Sequence, residues 1–254
     1  MTDKLTDHAK GQGQWIFGLH AVQAVLKTSA NKVRQLKVLR GREDQRLQKI
    51  LAMAERQGLR VERVMRSDLD DLADGSHQGV AALCDDAEVQ DEHFLYELLD
   101  RSEETPFLLI LDGITDPHNL GACLRSADAA GVHAVIVPKD NSVGLTPVVQ
   151  KVACGAAENV PLVVVTNLAR TLRKLQARGL WIIGAAGEAE QLVYNTDLKG
   201  PVALVMGAEE KGLRRLTREY CDLLVKLPMA GVVSSLNVSV ATGICLFEAV
   251  RQRR

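Results

Sequence analysis

Three stretches of the chain gather amides, hydroxyls, glycines and single charges more densely than a connecting loop needs for its own folding. The first is Asp112-Gly113-Ile114-Thr115-Asp116-Pro117-His118-Asn119-Leu120-Gly121-Ala122-Cys123-Leu124-Arg125. The second is Met206-Gly207-Ala208-Glu209-Glu210-Lys211-Gly212-Leu213, and the third runs from Leu227-Pro228-Met229 through Gly231 to Ser234-Ser235-Leu236-Asn237-Val238-Ser239. In the first, Asp116 followed by Pro117 has the form of a helix N-cap with proline at the first helical position, and Leu120, Leu124 and Ala127 make the core-facing stripe. Helical side chains lean toward the N-terminus, so the Arg125 guanidinium passes over the small Gly121 and Ala122 toward Asn119 and leaves room for a ligand between them. A surface ion pair of Arg125 with Asp116 or Asp128 is the other reading of the same spacing. In the third stretch a Ser or Asn can cap the helix that follows, but capping accounts for one of Ser234, Ser235, Asn237 and Ser239, not for all four.

The usual site motifs are absent. The chain has no G-x-G-x-x-G after a strand, no G-x-x-x-x-G-K-[ST], no H-E-x-x-H and no G-x-S-x-G, which takes support from dinucleotide, NTP, zinc-protease and hydrolase readings. His118 and His133 lack metal spacing and read as surface or loop residues. Cys84, Cys123, Cys154, Cys221 and Cys245 are odd in number, scattered and free of any C-x-x-C pair, so reduced thiols are expected rather than a disulfide framework or a zinc site.

The elements that must position these loops follow from hydrophobic pattern. Nearly continuous apolar runs at Phe107 to Leu111, Ala134 to Pro138, Pro161 to Val165, Leu180 to Gly184, Val202 to Met206 and Leu223 to Leu227 predict strands buried on both faces. Helical patterns at Asn119 to Ala130, Asn167 to Arg178, Leu213 to Tyr220 and Leu236 to Arg251 lie between or after them. The alternation predicts an α/β fold with a parallel sheet, whose ligands sit off the carboxyl ends of the strands. All three polar stretches fall there. Ahead of this unit, strands at Gln35 to Leu39, Leu59 to Val64 and Gly79 to Leu83 and helices at Leu19 to Lys27 and Glu43 to Gln57 predict a small α/β domain over residues 14–84.

Composition is that of a globular protein, with 46% hydrophobic and 25% charged residues. No apolar run approaches the roughly 18 residues that cross a bilayer, and Met1 to Lys10 is polar and mixed in charge, so no membrane contact, no secretory signal and a cytoplasmic location are expected. The net charge of -1 conceals segregation: residues 1–66 carry 14 Lys/Arg against 6 Asp/Glu, residues 67–106 carry 1 against 13, and residues 107–254 carry 16 against 13. The basic block, with Lys27, Lys32, Arg34, Lys37, Arg40, Arg42, Arg46, Lys49, Arg56, Arg60, Arg63 and Arg66, suits a phosphate backbone, although a solvated helix face would look the same. The acidic stretch reads as a boundary whose one apolar patch, His93 to Leu99, makes a short helix at most, with a linker over residues 85–105 and a second domain over 106–254.

Taken together, the three stretches resemble the three motifs of the SpoU/TrmH class of SPOUT methyltransferases, which move a methyl group from S-adenosylmethionine to a ribose 2′-hydroxyl of RNA. Asp116-Pro117-His118-Asn119-Leu120-Gly121-Ala122 with Arg125 matches the first, Met206 to Glu209 with Gly212-Leu213 the second, and Pro228-Met229, Gly231 and Ser235 to Ser239 the third. Phe17-Gly18-Leu19-His20-Ala21-Val22 and His77-Gln78-Gly79 are similar to the RNA substrate-binding domain often fused in front. Over nearly its whole length the chain resembles the members that methylate a guanosine of 23S rRNA in the peptidyl-transferase centre. A tRNA ribose methyltransferase and a non-catalytic RNA-binding protein are the competing readings.

The resemblance implies a deep trefoil knot at the carboxyl end, an exception to normal chain connections, and a homodimer whose active site spans two subunits. It implies S-adenosylmethionine as cofactor, held by Gly187, Gly207, Leu227, Met229 and Leu236, with no metal. It implies that Asn119, Arg125, Glu209, Ser235 and Asn237 form the catalytic, polar side facing the ribose and its phosphate. The family's proposed base is the arginine matching Arg125. A guanidinium does not deprotonate in proteins and is built to hold phosphate bidentately, so phosphate holding and stabilisation of a developing alkoxide are the alternative role.

Overall fold

The computed structural model describes residues 13–72, 77–85, 88–208 and 211–254. The chain divides into two compact units, Met1–Ala87 and Glu88–Arg254.

In the first unit the chain runs β1 (Gln14–Phe17), α1 (Leu19–Thr28), β2 (Val33–Leu39), α2 (Gln45–Arg56), β3 (Val61–Val64), α3 (Arg66–Asp70) and β4 (Val80–Cys84). The sheet order is β1-β4-β2-β3, with β4 antiparallel to β1 and β2, and β3 parallel to β2. Val22, Val25 and Leu26 of α1 and Leu47 and Ile50 of α2 close over Leu36 and Val38 of β2 to make its core. Asp44 starts α2 by accepting hydrogen bonds from the backbone N–H groups of Arg46 (3.0 Å) and Leu47 (3.2 Å), which an N-terminal turn cannot satisfy internally. Gln78 performs a similar service at longer range, its Oε1 accepting from Leu19 N at 3.1 Å at the head of α1. Beside it, buried His77 accepts from Gly79 N at 2.9 Å through Nδ1, with Nε2 against Asp70 at 2.9 Å. His77-Gln78-Gly79 is therefore a structural corner. Sequence reading missed β1, a four-residue edge strand.

The second unit contains α4 (Glu92–Arg101), β5 (Phe107–Asp112), α5 (Pro117–Ala130), β6 (Ala134–Pro138), α6 (Pro147–Ala153), β7 (Leu162–Val165), α7 (Leu168–Gln176), β8 (Trp181–Ala185), β9 (Gln191–Leu192), β10 (Val202–Gly207), α8 (Arg215–Glu219), β11 (Leu223–Lys226) and α9 (Val238–Arg253). The sheet order is β7-β6-β5-β10-β8-β11-β9 and every pairing is parallel. Alternate residues feed two cores: Leu109, Leu111, Leu204 and Met206 pack with α5 and α9, while Leu108, Ile110, Ala203 and Val205 pack with α4 and α7. Covering both faces is why these strands read as unbroken apolar runs. All six expected strands are present, and the α/β class with a parallel sheet holds.

Two differences matter. Residues 92–101, assigned on composition to an acidic linker, form α4, and its Leu95 is fully buried in the second core. Glu92 is held by Arg170 at 3.1 Å, and the apolar patch read as a short helix at most is the face that α4 lays on the sheet. The chain joins the second sheet even earlier, since Gln90 exchanges backbone bonds with Leu162 and Val164 at 2.8 Å each. The second difference is α6, a seven-residue helix announced only by Thr146-Pro147, where the Thr146 hydroxyl accepts from Val149 N at 3.3 Å.

Candidate active site

The carboxyl ends of β5, β10 and β11 deliver the three polar stretches to one end of the second sheet, as the fold class requires. From β5 the chain turns at Gly113, whose φ of 86° is left-handed, and enters α5 through Asp116, which accepts from His118 N at 3.0 Å ahead of Pro117. This places Asn119 in the first turn, 8% exposed. Its Oδ1 accepts from Asn237 Nδ2 at 2.9 Å. Asn237 is the cap of α9: its Oδ1 accepts from Ser239 N (3.0 Å), Ser239 Oγ (2.6 Å) and Val240 N (3.4 Å). One amide thus caps a helix with its oxygen and ties the first stretch to the third with its nitrogen.

The second stretch folds back on itself. Ala208 and Gly212 exchange backbone hydrogen bonds of 3.1 and 2.8 Å, which presses Gly212 onto Gly207. A Cβ at Gly207 would stand 2.2 Å from the Gly212 carbonyl carbon and 2.4 Å from Leu213 N. The glycine is therefore demanded by the chain's own close approach. Glu209 lies outside the described residues.

Two cavities share this turn as a wall. The first, of about 380 Å³, is lined by Gly187, Gly207, Leu227, Met229, Ser235 and Leu236 together with Ala185, Val225, Ala241 and Cys245. All five residues expected around the cofactor are thus brought together, with Ser235 among them. The second, of about 570 Å³, is more polar and contains Asp112, Thr115, Asp116, Asn119, Asn141 and Arg214. Ala208, Lys211, Gly212 and Val238 line both. Burial pushes the Cys245 thiol up to about 12, so it stays protonated and presents an apolar surface to the first cavity.

Arg125 stands apart, lining neither cavity and exposed on α5. Among the described residues no carboxylate pairs with it, so the ion pair with Asp116 or Asp128 does not form; Nη1 faces Cys154 Sγ at 3.8 Å. The residues that sequence reading missed are Asp112, Arg214 and Asn141 of the polar cavity. Asp112 was visible at the end of an apolar strand, whereas Arg214 sits 102 residues away from it and no local spacing joins them.

The first cavity has the size of a cofactor site, and Gly187 meets no atom within 4 Å of where a Cβ would stand, so the wall is open there for a ligand. Leu227, Met229 and Leu236 offer apolar contact and the rim is polar, which fits S-adenosylmethionine. A parallel sheet carrying such a cavity beside a polar one at its carboxyl edge defines a site for a cofactor next to a polar substrate. The chain belongs to the SpoU rRNA Methylase family, whose model matches residues 106–247, and residues 15–90 match RNA 2′-O ribose methyltransferase substrate binding.

It is 62% identical over 239 residues to the 23S rRNA (guanosine-2′-O-)-methyltransferase RlmB of Pseudomonas putida, covering 94% of this chain and 96% of that protein. The protein of the same name from Escherichia coli is 58% identical over 241 residues, covering 94% of this chain and 99% of its own length. Among solved structures, the SpoU methyltransferase AviRb from Streptomyces viridochromogenes in complex with AdoMet is similar with a TM-score of 0.73 at 25% identity, covering 94% and 90% of the two chains. An RNA 2′-O ribose methyltransferase aligns with a TM-score of 0.74 at 29% identity, covering 94% and 88%. The resemblance drawn from the three motifs is borne out.

Proposed function

We propose that this protein methylates the ribose 2′-hydroxyl of a guanosine in 23S rRNA, using S-adenosylmethionine. The observation that carries the reading is the shared wall: one cavity fits the cofactor, its neighbour is polar enough for a nucleotide, and Ala208, Lys211, Gly212 and Val238 belong to both. The relatives named above support the guanosine and the 23S rRNA. S-adenosylmethionine, when bound, supplies a methyl group on a cationic sulfur with a neutral leaving group, so the protein's task is alignment.

The chain's own residues perform that task. Leu227, Met229 and Leu236 give one cavity its apolar wall, and the Asn119–Asn237 pair fixes α5 against α9 beside the polar cavity, which Asn119 lines. Ser235 lines the cofactor cavity, and the family resemblance assigns it, with Glu209, to the polar side that faces the ribose. Arg125 holds a phosphate and stabilises the developing alkoxide, while the hydroxyl proton leaves to water or a phosphate oxygen.

Arg125 acts across a homodimer in this reading. Supporting it are its position outside both cavities and the exposed apolar face of α9, where Val240 is 51% and Phe247 48% exposed at i and i+7. The trefoil knot of the family belongs to the same proposal; in the sheet, β11 enters beyond β8 rather than beside β10, the strand before it. No described helix is long and apolar enough to cross a membrane, and among the described residues no group of three or more His, Cys, Asp or Glu is placed to hold a metal ion. A cytoplasmic location belongs to the same proposal and rests on the rRNA substrate of the relatives. Calorimetry tests the enzyme reading against a non-catalytic RNA binder. S-adenosylmethionine should bind once per chain, and the absence of binding heat with a correctly folded protein would overturn it.

A further inference from the structure

The polar cavity contains a charged pair that the roles above do not use. Asp112, the last residue of β5, has a wholly buried side chain. Its Oδ2 accepts from the backbone N–H of Arg214 at 3.0 Å, and its Oδ1 has no hydrogen-bond partner, the Arg214 Nε lying 3.4 Å away. A carboxylate buried at a strand end costs stability unless a cation compensates it, and a hydrophobic residue there would cost less. The pair therefore calls for a reason beyond folding.

That reason is the fixed direction of the guanidinium. Asp112 engages Arg214 along its backbone N–H and Nε edge, and Nη2 donates to the Asp140 carbonyl at 3.2 Å. Among the described residues nothing accepts from Nη1. The side chain remains 42% exposed and lines the polar cavity, with Lys211 on the wall shared with the cofactor cavity. Of the two carboxylates among the described residues of that cavity, Asp112 is spent on Arg214, while Asp116 caps α5 through His118 N. An arginine anchored on one edge keeps its planar donor fork ready for a phosphate oxygen at little further entropic cost.

We propose that Arg214, positioned by Asp112, grips a backbone phosphate of the substrate RNA inside the polar cavity, with Lys211 adding charge beside it. This rests on the reading of the protein as an RNA methyltransferase and names a contact on the substrate side of that site. Arg214 is the phosphate ligand and Asp112 a positioning residue.

The test uses full-length protein and a 23S rRNA transcript. Arg214→Gln should weaken RNA binding several-fold, and the slope of log affinity against log salt should flatten by about 0.7 to 0.9, the release expected for one lost phosphate contact. Affinity for S-adenosylmethionine should stay unchanged. Asp112→Asn keeps the shape but frees the guanidinium, so it should raise the KM for RNA several-fold with kcat within about twofold, and Arg214→Lys should restore the salt slope but not the full affinity. An unchanged salt slope in Arg214→Gln would overturn the proposal, whatever happens to its melting temperature. The slope is a binding measurement, so it decides this contact separately from whether the wild-type protein methylates the transcript.

Discussion

At the scale of single residues, the structure separates groups that the sequence placed side by side. Asn119 and Arg125 sit on the same helix, yet Asn119 is buried against Asn237 and Arg125 is exposed without a carboxylate partner among the described residues. Arg125→Ala should therefore cut methyl transfer by two or more orders of magnitude and leave the melting temperature unchanged. Asn119→Ala should also cut turnover, but with a loss of about 1 kcal/mol of stability, because it orphans the Asn237 amide. Equal melting curves with near-normal turnover in either variant would refute the assigned roles. Gly207→Val should abolish S-adenosylmethionine binding, and the structure gives the cause: the new side chain collides with the Gly212 backbone and dislodges a wall of both cavities. Calorimetry and thermal melts together test this, since a ligand-space effect alone would leave stability intact. Four of the five cofactor-side residues, Gly207, Leu227, Met229 and Leu236, were legible because they fall in the second and third polar stretches, and Gly187 lies outside all three, in the turn Gly184 to Gly187. Asp112 with Arg214 was not legible, because the pair is made by folding.

At the scale of elements, strands were legible and their edges less so. Six strands buried on both faces could be read from unbroken apolar runs, whereas β1 and the two-residue β9 bury too little to leave such a signature. Helix α4 was legible as a short helix at most, but the acidic residues around it hid that it belongs to the second unit. The last helix carries a device that no pattern displayed. Glu248 is buried and accepts from Arg251 at 2.8 and 2.9 Å and from Gln252 at 2.7 Å, while Gln252 also holds Leu198 N at 2.9 Å and Thr196 O at 3.0 Å. The bonds from Arg251, then from Gln252, pull the Glu248 carboxyl down to about 2. A carboxylate whose folded value is depressed contributes stability above its ordinary range and loses it as pH falls toward the folded value. Glu248→Gln should cost about 2 kcal/mol at neutral pH, and the gap from wild type should close between roughly pH 5 and pH 2. A gap independent of pH in chemical denaturation would show that the ion pair is not the source.

At the scale of the whole molecule, charge segregation assigns labour. Arg40, Arg46, Lys49, Arg56, Arg60 and Arg63 of the first unit are exposed and make no ion pair among the described residues, which leaves them available to RNA phosphates. The segregation was legible in the sequence, but the cut between the units was not, because the acidic stretch both ends one unit and begins the other. A truncation at Glu104, natural on composition, would strip α4 from Leu108 and Ile110; one beginning at Glu88 keeps Gln90 and α4 on the sheet. The Glu88 truncation should bind S-adenosylmethionine as the full chain does, while its RNA affinity falls and its salt dependence flattens. If it kept both the RNA affinity and the salt slope of the full chain, the basic block would be a solvated face and nothing more. The most direct test of the central claim is to map ribose methylation after the purified protein is incubated with S-adenosylmethionine and a 23S rRNA transcript or assembling subunit. The account predicts one new 2′-O-methylguanosine, at a position left unmodified in cells lacking the protein; methylation at a base, on tRNA alone, or at no 23S rRNA guanosine would contradict it.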